Sequence, residues 1–155
     1  MITMRKITAD ELDCLENLHE HLDFSSYKNR LCNAILSGVK DVYIINFNET
    51  IVGEITVQYG EKSPLETIPG KRVYFSAFRI IPEFRNRKLG QQLLRFVIDD
   101  LKSKGYSEFT IGVEDGNENA IHLYSKFGFS KSISRRKEFY EGVPCEYTLL
   151  LCDGE

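Results

Sequence analysis

The chain of 155 residues carries a formal net charge of -3 and is long enough for one domain with a substantial core. Hydrophobic residues make up 42% and charged residues 28%, which excludes a disordered or fibrous chain. A pI near 5.7 argues against a general nucleic-acid binder, since those carry a basic surface, and no apolar run reaches the ~18 residues of a membrane span.

Met1 to Ile7 alternates loosely and predicts a first strand. Thr8 opens T-A-D-E, a capping box in which the Thr8 hydroxyl and Glu11 carboxylate satisfy orphan backbone amides. Leu12, Leu15, Leu18 and Leu22 follow at helical spacing. A second helix is expected over Ser26 to Leu36, ended by Gly38. Asp41 to Phe47 and Ile51 to Tyr59 read as two strands joined by N-E-T, a hairpin signal. Glu61 to Lys71 holds Pro64, Pro69 and Gly70 and reads as a loop.

Val73 to Ile81 is an aromatic and β-branched strand stopped by Pro82. Lys88 to Lys104 predicts a helix with Leu89, Leu93, Phe96, Val97 and Leu101 on one face and Gly105 after its end. Phe109 to Val113 is a short apolar strand, and Asn117 to Phe127 a helix stopped at Gly128. Ser130 to Tyr140 and Tyr147 to Cys152 pair as a last hairpin across E-G-V-P. Strands and helices mix without strict alternation, which predicts an α/β class with a mixed sheet and helices on both faces. No repeat or linker interrupts residues 1–155, so one domain is expected.

Cys14, Cys32, Cys145 and Cys152 match no zinc or redox spacing. The first residues show no signal-peptide pattern, so reduced packing thiols in a cytoplasmic protein are expected.

Two stretches carry chemistry. P-E-F-R-N-R-K-L-G-Q-Q-L-L, residues 82–94, sets Arg85, Arg87 and Lys88 in a loop at the mouth of a helix, with Arg95 just beyond. The first amides of a helix lack intrahelical partners and carry partial positive charge, so phosphates settle there. Gly90 lets backbone and ligand approach closely. By itself the stretch fits a solvated charged loop as well as a phosphate cradle. Downstream, Asn117 suits a helix N-cap, and Tyr124 follows about two turns later. Tyr124 reads either as a half-buried packing aromatic or as a proton donor to a leaving group.

Together the stretches resemble the GCN5-related N-acetyltransferase (GNAT) superfamily. Its pattern P-x-x-(Q/R)-x-x-G-x-(G/A) is met by Pro82, Arg85 and Gly90, with Lys88 in place of the usual glycine. Its pattern N-x-x-A-x-x-x-Y-x-x-x-G-F is met in full by Asn117, Ala120, Tyr124, Gly128 and Phe129. If the Lys88 position needs φ > 0, a lysine there is strained.

The resemblance implies a GNAT-like fold: a mostly antiparallel seven-stranded sheet splayed between its fourth and fifth strands. It implies acetyl-CoA as co-substrate, no metal, and direct transfer to a primary amine, either a small molecule or a peptide N-terminus. By position, the backbone of Arg79, Ile80 and Ile81 would hold the pantetheine and polarise the thioester. Arg85, Asn86, Arg87, Lys88, Leu89, Gly90 and Gln91 would cradle the pyrophosphate. Asn117 and Ala120 would contact the cofactor arm, and Tyr124 would protonate the thiolate. Glu54 and Glu114 are candidate bases, directly or through water, though each also reads as a solvent-facing carboxylate.

For the acceptor, the acidic first helix (Glu11, Asp13, Glu16, Glu20, Asp23, with His19 and His21) either attracts a cationic amine or is a solvated face. Phe139 and Tyr140 of the last hairpin either flank a peptide, pack a small molecule or stabilise the hairpin. His122 is expected at the surface. Dimers are common in the resembling family, and Thr148–Leu151 (TLLL) offers a strand for pairing between copies. A non-catalytic acyl-CoA sensor is the competing reading, with a nucleotide-binding domain disfavoured by the lack of a glycine-rich turn after the first strand.

Overall fold

A computed structural model describes residues 1–19, 23–140 and 142–154. Seven strands form one sheet: β1 (Ile2–Ile7), β2 (Lys40–Phe47), β3 (Thr50–Gln58), β4 (Arg72–Ile80), β5 (Glu108–Glu114), β6 (Lys131–Tyr140) and β7 (Val143–Cys152). Their spatial order is β1-β2-β3-β4-β5-β7-β6. Every pairing is antiparallel except β4 with β5, which run parallel. That parallel ladder covers only Arg72–Phe75 against Glu108–Ile111. Beyond Phe75 the two strands separate, as the resemblance implies.

Alternation in β2 shows why the sheet needs two covers. Val42 and Ile44 pack with a 3-10 helix (Ala9–Leu18) and α1 (Phe24–Leu36) on one face. Tyr43 and Ile45 face the other side, where α2 (Leu89–Ser103) buries Leu89, Leu93, Leu94, Val97 and Leu101. α3 (Glu118–Lys126) adds Tyr124 to that core. At roughly 1.5–3 kcal/mol per fully buried large apolar side chain, these two layers dominate the folding energy.

The first helix departs from the expected α form. Leu12, Leu15 and Leu18 are buried on a 3-10 helix. Their spacing of three residues lines up when a turn holds three residues, so this geometry buries all of them at once. The capping box forms, with the Thr8 amide donating to Glu11 Oε1 at 2.9 Å. Glu20, His21 and Leu22 lie outside the described residues. α1 begins at Phe24, ahead of the expected Ser26, because Asp23 caps it by accepting the Ser26 amide.

β7 lies between β5 and β6 and is hydrogen-bonded on both edges. The expected pairing of Thr148–Leu151 between copies is therefore overturned, since no edge of that strand remains. All four cysteines are free; Cys152 is buried, and Cys14 and Cys32 pack against the α1-side core.

Candidate active site

The separation of β4 from β5 opens a cleft of about 430 Å³. Its wall includes Phe78, Arg79 and Ile80 of β4, the loop Arg85, Asn86 and Lys88, the start of α2 at Leu89, Gly90 and Gln91, and Asn117, Ala120 and Tyr124. Of the cofactor residues expected from sequence, only Ile81 and Arg87 stand outside it. Ile81 lines a separate cavity with Asn17, Thr50 and Pro82. Phe84, Asn119 and Leu123 join the cleft unforeseen.

The loop before α2 is bent so that successive amides converge. Asn86 (φ 64) and Lys88 (φ 62) both adopt the left-handed conformation, and such turns converge successive amides into a nest. The first intrahelical bond reaches the Gln92 amide from the Lys88 carbonyl. The amides of Leu89, Gly90 and Gln91 thus remain for a ligand at the positive end of the helix dipole.

The cationic side chains divide. Lys88 and Arg85 line the cleft, and Arg85 Nε donates to the Ile80 carbonyl at 2.9 Å. Arg87 instead lies over Phe84 and Phe47, its guanidinium 4.9 and 5.8 Å from the ring centroids. Arg95 sits 4.5 Å over Phe127. The cradle is therefore mostly backbone, and two of the four cations are held on aromatic faces.

Tyr124 stands across from Phe78, with ring centroids 6.3 Å apart. Burial pushes its hydroxyl up to about 12, so it stays protonated at neutral pH. Asn117 caps α3 by accepting the Ala120 amide at 3.2 Å. Gly53 of β3 lets β4 approach: a Cβ there would sit 2.4 Å from Ile80 Cδ1 and 2.8 Å from the Arg79 carbonyl oxygen. Opposite, β4 bulges: Thr56 pairs with Ser76 and Glu54 with Arg79, with Ala77 between at φ 50.

Two readings of single residues are corrected. Glu54 is fully buried, not solvent-facing. Its Oε2 lies 2.6 Å from His19 Nε2 and 3.3 Å from Arg79 Nε. His19 is buried as well, packed 4.4 Å from the Tyr27 ring centroid, rather than on a solvated helix face. The reason is that β3 is covered on both faces from Val52 to Gln58, so no position in that stretch looks to water. The side chain of Arg79, ahead of Ile80 in a strand read only for its backbone, was equally missed. Period-two alternation could have flagged Glu54 and Thr56 as sharing one face, but not which helix covers them.

Glu114 is exposed at the end of β5 and does not line the cleft. The acidic residues of the first helix are largely engaged: Glu11 with Arg5 at 2.8 Å, Asp13 with Lys28 at 2.6 Å, and Asp23 at the α1 cap. Arg5, with help from the Thr8 amide and hydroxyl, holds the Glu11 carboxyl down at about 2. Phe139 is exposed on β6, while the side chain of Tyr140 lies outside the described residues. His122 is exposed, as expected.

A splayed mixed sheet thus carries an amide nest and a protonated tyrosine in the wall of one cleft. The sequence model of the Acetyltransferase (GNAT) family matches residues 4–129, and the chain belongs to that family. It is 22% identical over 143 residues to N-alpha-acetyltransferase 50 of Danio rerio, covering 92% of this chain and 82% of that protein. It is 30% identical over 77 residues to thialysine N-epsilon-acetyltransferase of Mus musculus, a match spanning 49% of this chain and 45% of that protein. The crystal structure of Arabidopsis thaliana NAA60 in complex with acetyl-CoA superposes with a TM-score of 0.73 at 19% identity, covering 97% of both chains.

Proposed function

We propose that the protein is an N-acetyltransferase that moves an acetyl group from acetyl-CoA to a primary amine in one direct step. The observation that carries this reading is the cleft beside the part of β4 that has left β5, walled by the loop and first turn of α2 and by Tyr124 of α3 together. The residues present fit the co-substrate. Amides of Leu89 to Gln91 and the side chain of Lys88 would hold its pyrophosphate. The β4 edge beyond Phe75, which has no strand partner, would receive the pantetheine by backbone hydrogen bonds. When bound, acetyl-CoA supplies an activated thioester.

Backbone donors of β4 near Arg79 and Ile80 stabilise the charge that develops on the thioester oxygen as the amine attacks. The C–N bond forms, the C–S bond breaks, and Tyr124 gives its proton to the departing thiolate. The amine itself must lose a proton, since its ordinary pKa is near ~10.4. Neither Glu54 nor Glu114 lines the cleft, so that proton passes to water in the open gap. Glu54 acts at one remove, by fixing Arg79.

The named activities of the two relatives, on an α-amine and on thialysine, suggest both peptide N-termini and small amines as acceptors to test. Thiol release from acetyl-CoA should be followed against amino acids, polyamines, aminoglycosides and short peptides with free N-termini. Acceptor-dependent release supports the enzyme. Tight CoA binding with no release across the panel would replace it with an acyl-CoA sensor.

A further inference from the structure

A second cavity, of about 390 Å³, lies between α1 and the sheet. Its wall is Tyr27, Arg30 and Leu31 of α1, Lys40 at the start of β2, Thr56 of β3, and Ser76, Ala77 and Arg79 of β4. It adjoins the cleft through one strand. Phe78 lines the cleft, Ala77 the cavity, and Arg79 both. The bulge at Ala77 lies where the walls of the two meet along β4.

The charge in this cavity is one-sided. Arg30, Lys40 and Arg79 line it, and no carboxylate does. Arg79 is tied from below by Glu54. Among the described residues, neither Arg30 nor Lys40 has a carboxylate within ion-pair distance. The Lys40 ammonium is held below its ordinary value, first by burial and then by the nearby charges of Lys62 and Arg30, with the Glu61 carboxylate beyond the lining opposing them. The remaining polar groups are hydroxyls. Thr56 is 2% exposed, and its Oγ1 faces the Tyr27 hydroxyl without closing a hydrogen bond of ordinary length. A buried hydroxyl left unpaired beside cations costs free energy until a ligand meets it.

We propose that this cavity is the acceptor's anion subsite and that the acceptor is a free amino acid, whose carboxylate is held by Arg30, Lys40 and the Thr56 hydroxyl while its amine reaches the cleft. The inference rests on the acetyltransferase reading above. Guanidinium and ammonium groups with a hydroxyl donor recognise a carboxylate by charge-assisted hydrogen bonds. The volume falls at the small end of ligand sites, suited to one residue-sized molecule. A polyamine would meet the two cations that no carboxylate among the described residues pairs, Arg30 and Lys40, and be disfavoured.

The test pairs each of the twenty amino acids with its own carboxamide, read by thiol release from acetyl-CoA. The preferred amino acid should exceed its amide in kcat/KM by about 10-fold or more. In Arg30→Gln/Lys40→Gln that preference should fall to about unity, with CoA affinity unchanged. Amides used as well as acids, or a preference that survives the double substitution, would overturn the subsite. The same pairs are titrated calorimetrically into the CoA-saturated protein. If no acceptor is turned over, the enzyme reading fails on its own. Acid-selective binding lost in the double variant then still supports the subsite, and binding without selectivity still overturns it. Arg30 is exposed and Lys40 half-buried at a strand start, and each single variant, checked for an unchanged Tm, guards against misfolding.

Discussion

Lys88 concentrates a conflict between conformation and charge. Its backbone is left-handed, at φ 62, which costs a non-glycine residue roughly 1–2 kcal/mol. Its side chain meanwhile lines the cleft beside the amide nest. Lys88→Gly should therefore raise Tm by about 2–4 °C while weakening CoA binding, and Lys88→Ala should weaken binding without the gain. Equal Tm for both variants would show that the strain is not real. Tyr124 poses a simpler question. With its hydroxyl pushed up to about 12 by burial, it remains a proton donor throughout the neutral range. Tyr124→Phe should lower kcat by about 10²-fold with little change in CoA affinity. Because the folded pKa is raised, the donor is present at every pH below it, and the deficit should be the same from about pH 6 to 9. A deficit that vanishes across this range would remove Tyr124 from the acid role.

At the scale of elements, β4 decides the site, and its neighbours decide β4. The bulge at Ala77 and the close approach over Gly53 set where Arg79 and Ile80 stand. Gly53→Ala would place a methyl 2.8 Å from the Arg79 carbonyl oxygen, a backbone atom that cannot turn aside. Overpacking of this kind costs about 1–3 kcal/mol, and the shift should also be felt as weaker CoA binding, measurable by calorimetry. A variant that loses stability yet binds CoA normally would mean that β4 relaxes away from the cleft. The helices were legible from caps and spacing: Asn117 at its cap, Gly105 and Gly128 beyond their helix ends. The 3-10 form of Ala9–Leu18 was not legible, because the three-residue spacing of Leu12, Leu15 and Leu18 serves an α-helix as well as a 3-10 helix.

Across the whole molecule, Glu54 ties the 3-10 helix to the sheet on the face that α1 covers. It reaches His19 at the end of the 3-10 helix and Arg79 on β4 from the middle of β3. Glu54 is buried but its partner Arg79 is 39% exposed, so Glu54→Ala leaves Arg79 open to water and should lower urea-unfolding stability by about 1–3 kcal/mol, mainly through the lost hydrogen-bonding partner of His19 and Arg79. It should also raise KM for the acceptor more than for acetyl-CoA, because Arg79 walls the second cavity. A stability loss with both KM values unchanged would make the cluster purely a fold-fixing device.

The chain's own pattern determined the order of strands and helices, the cationic loop that leads into α2 at residues 85–91 and the Asn117–Tyr124 helix. Each of these is encoded locally, by caps, breakers and periods that act within a few turns of chain. What covers a strand is not encoded locally. Glu54 looked like a surface carboxylate and His19 like a helix-face histidine until both sheet faces proved to be covered. The place of β7 between β5 and β6, which removes it as a pairing edge, follows from sheet order rather than from the residues Thr148–Leu151. The one-signed cavity of Arg30, Lys40 and Arg79 draws its charges from one helix and two strands. Charge balance along an acidic sequence averages such positions away, and only packing sums them in one place.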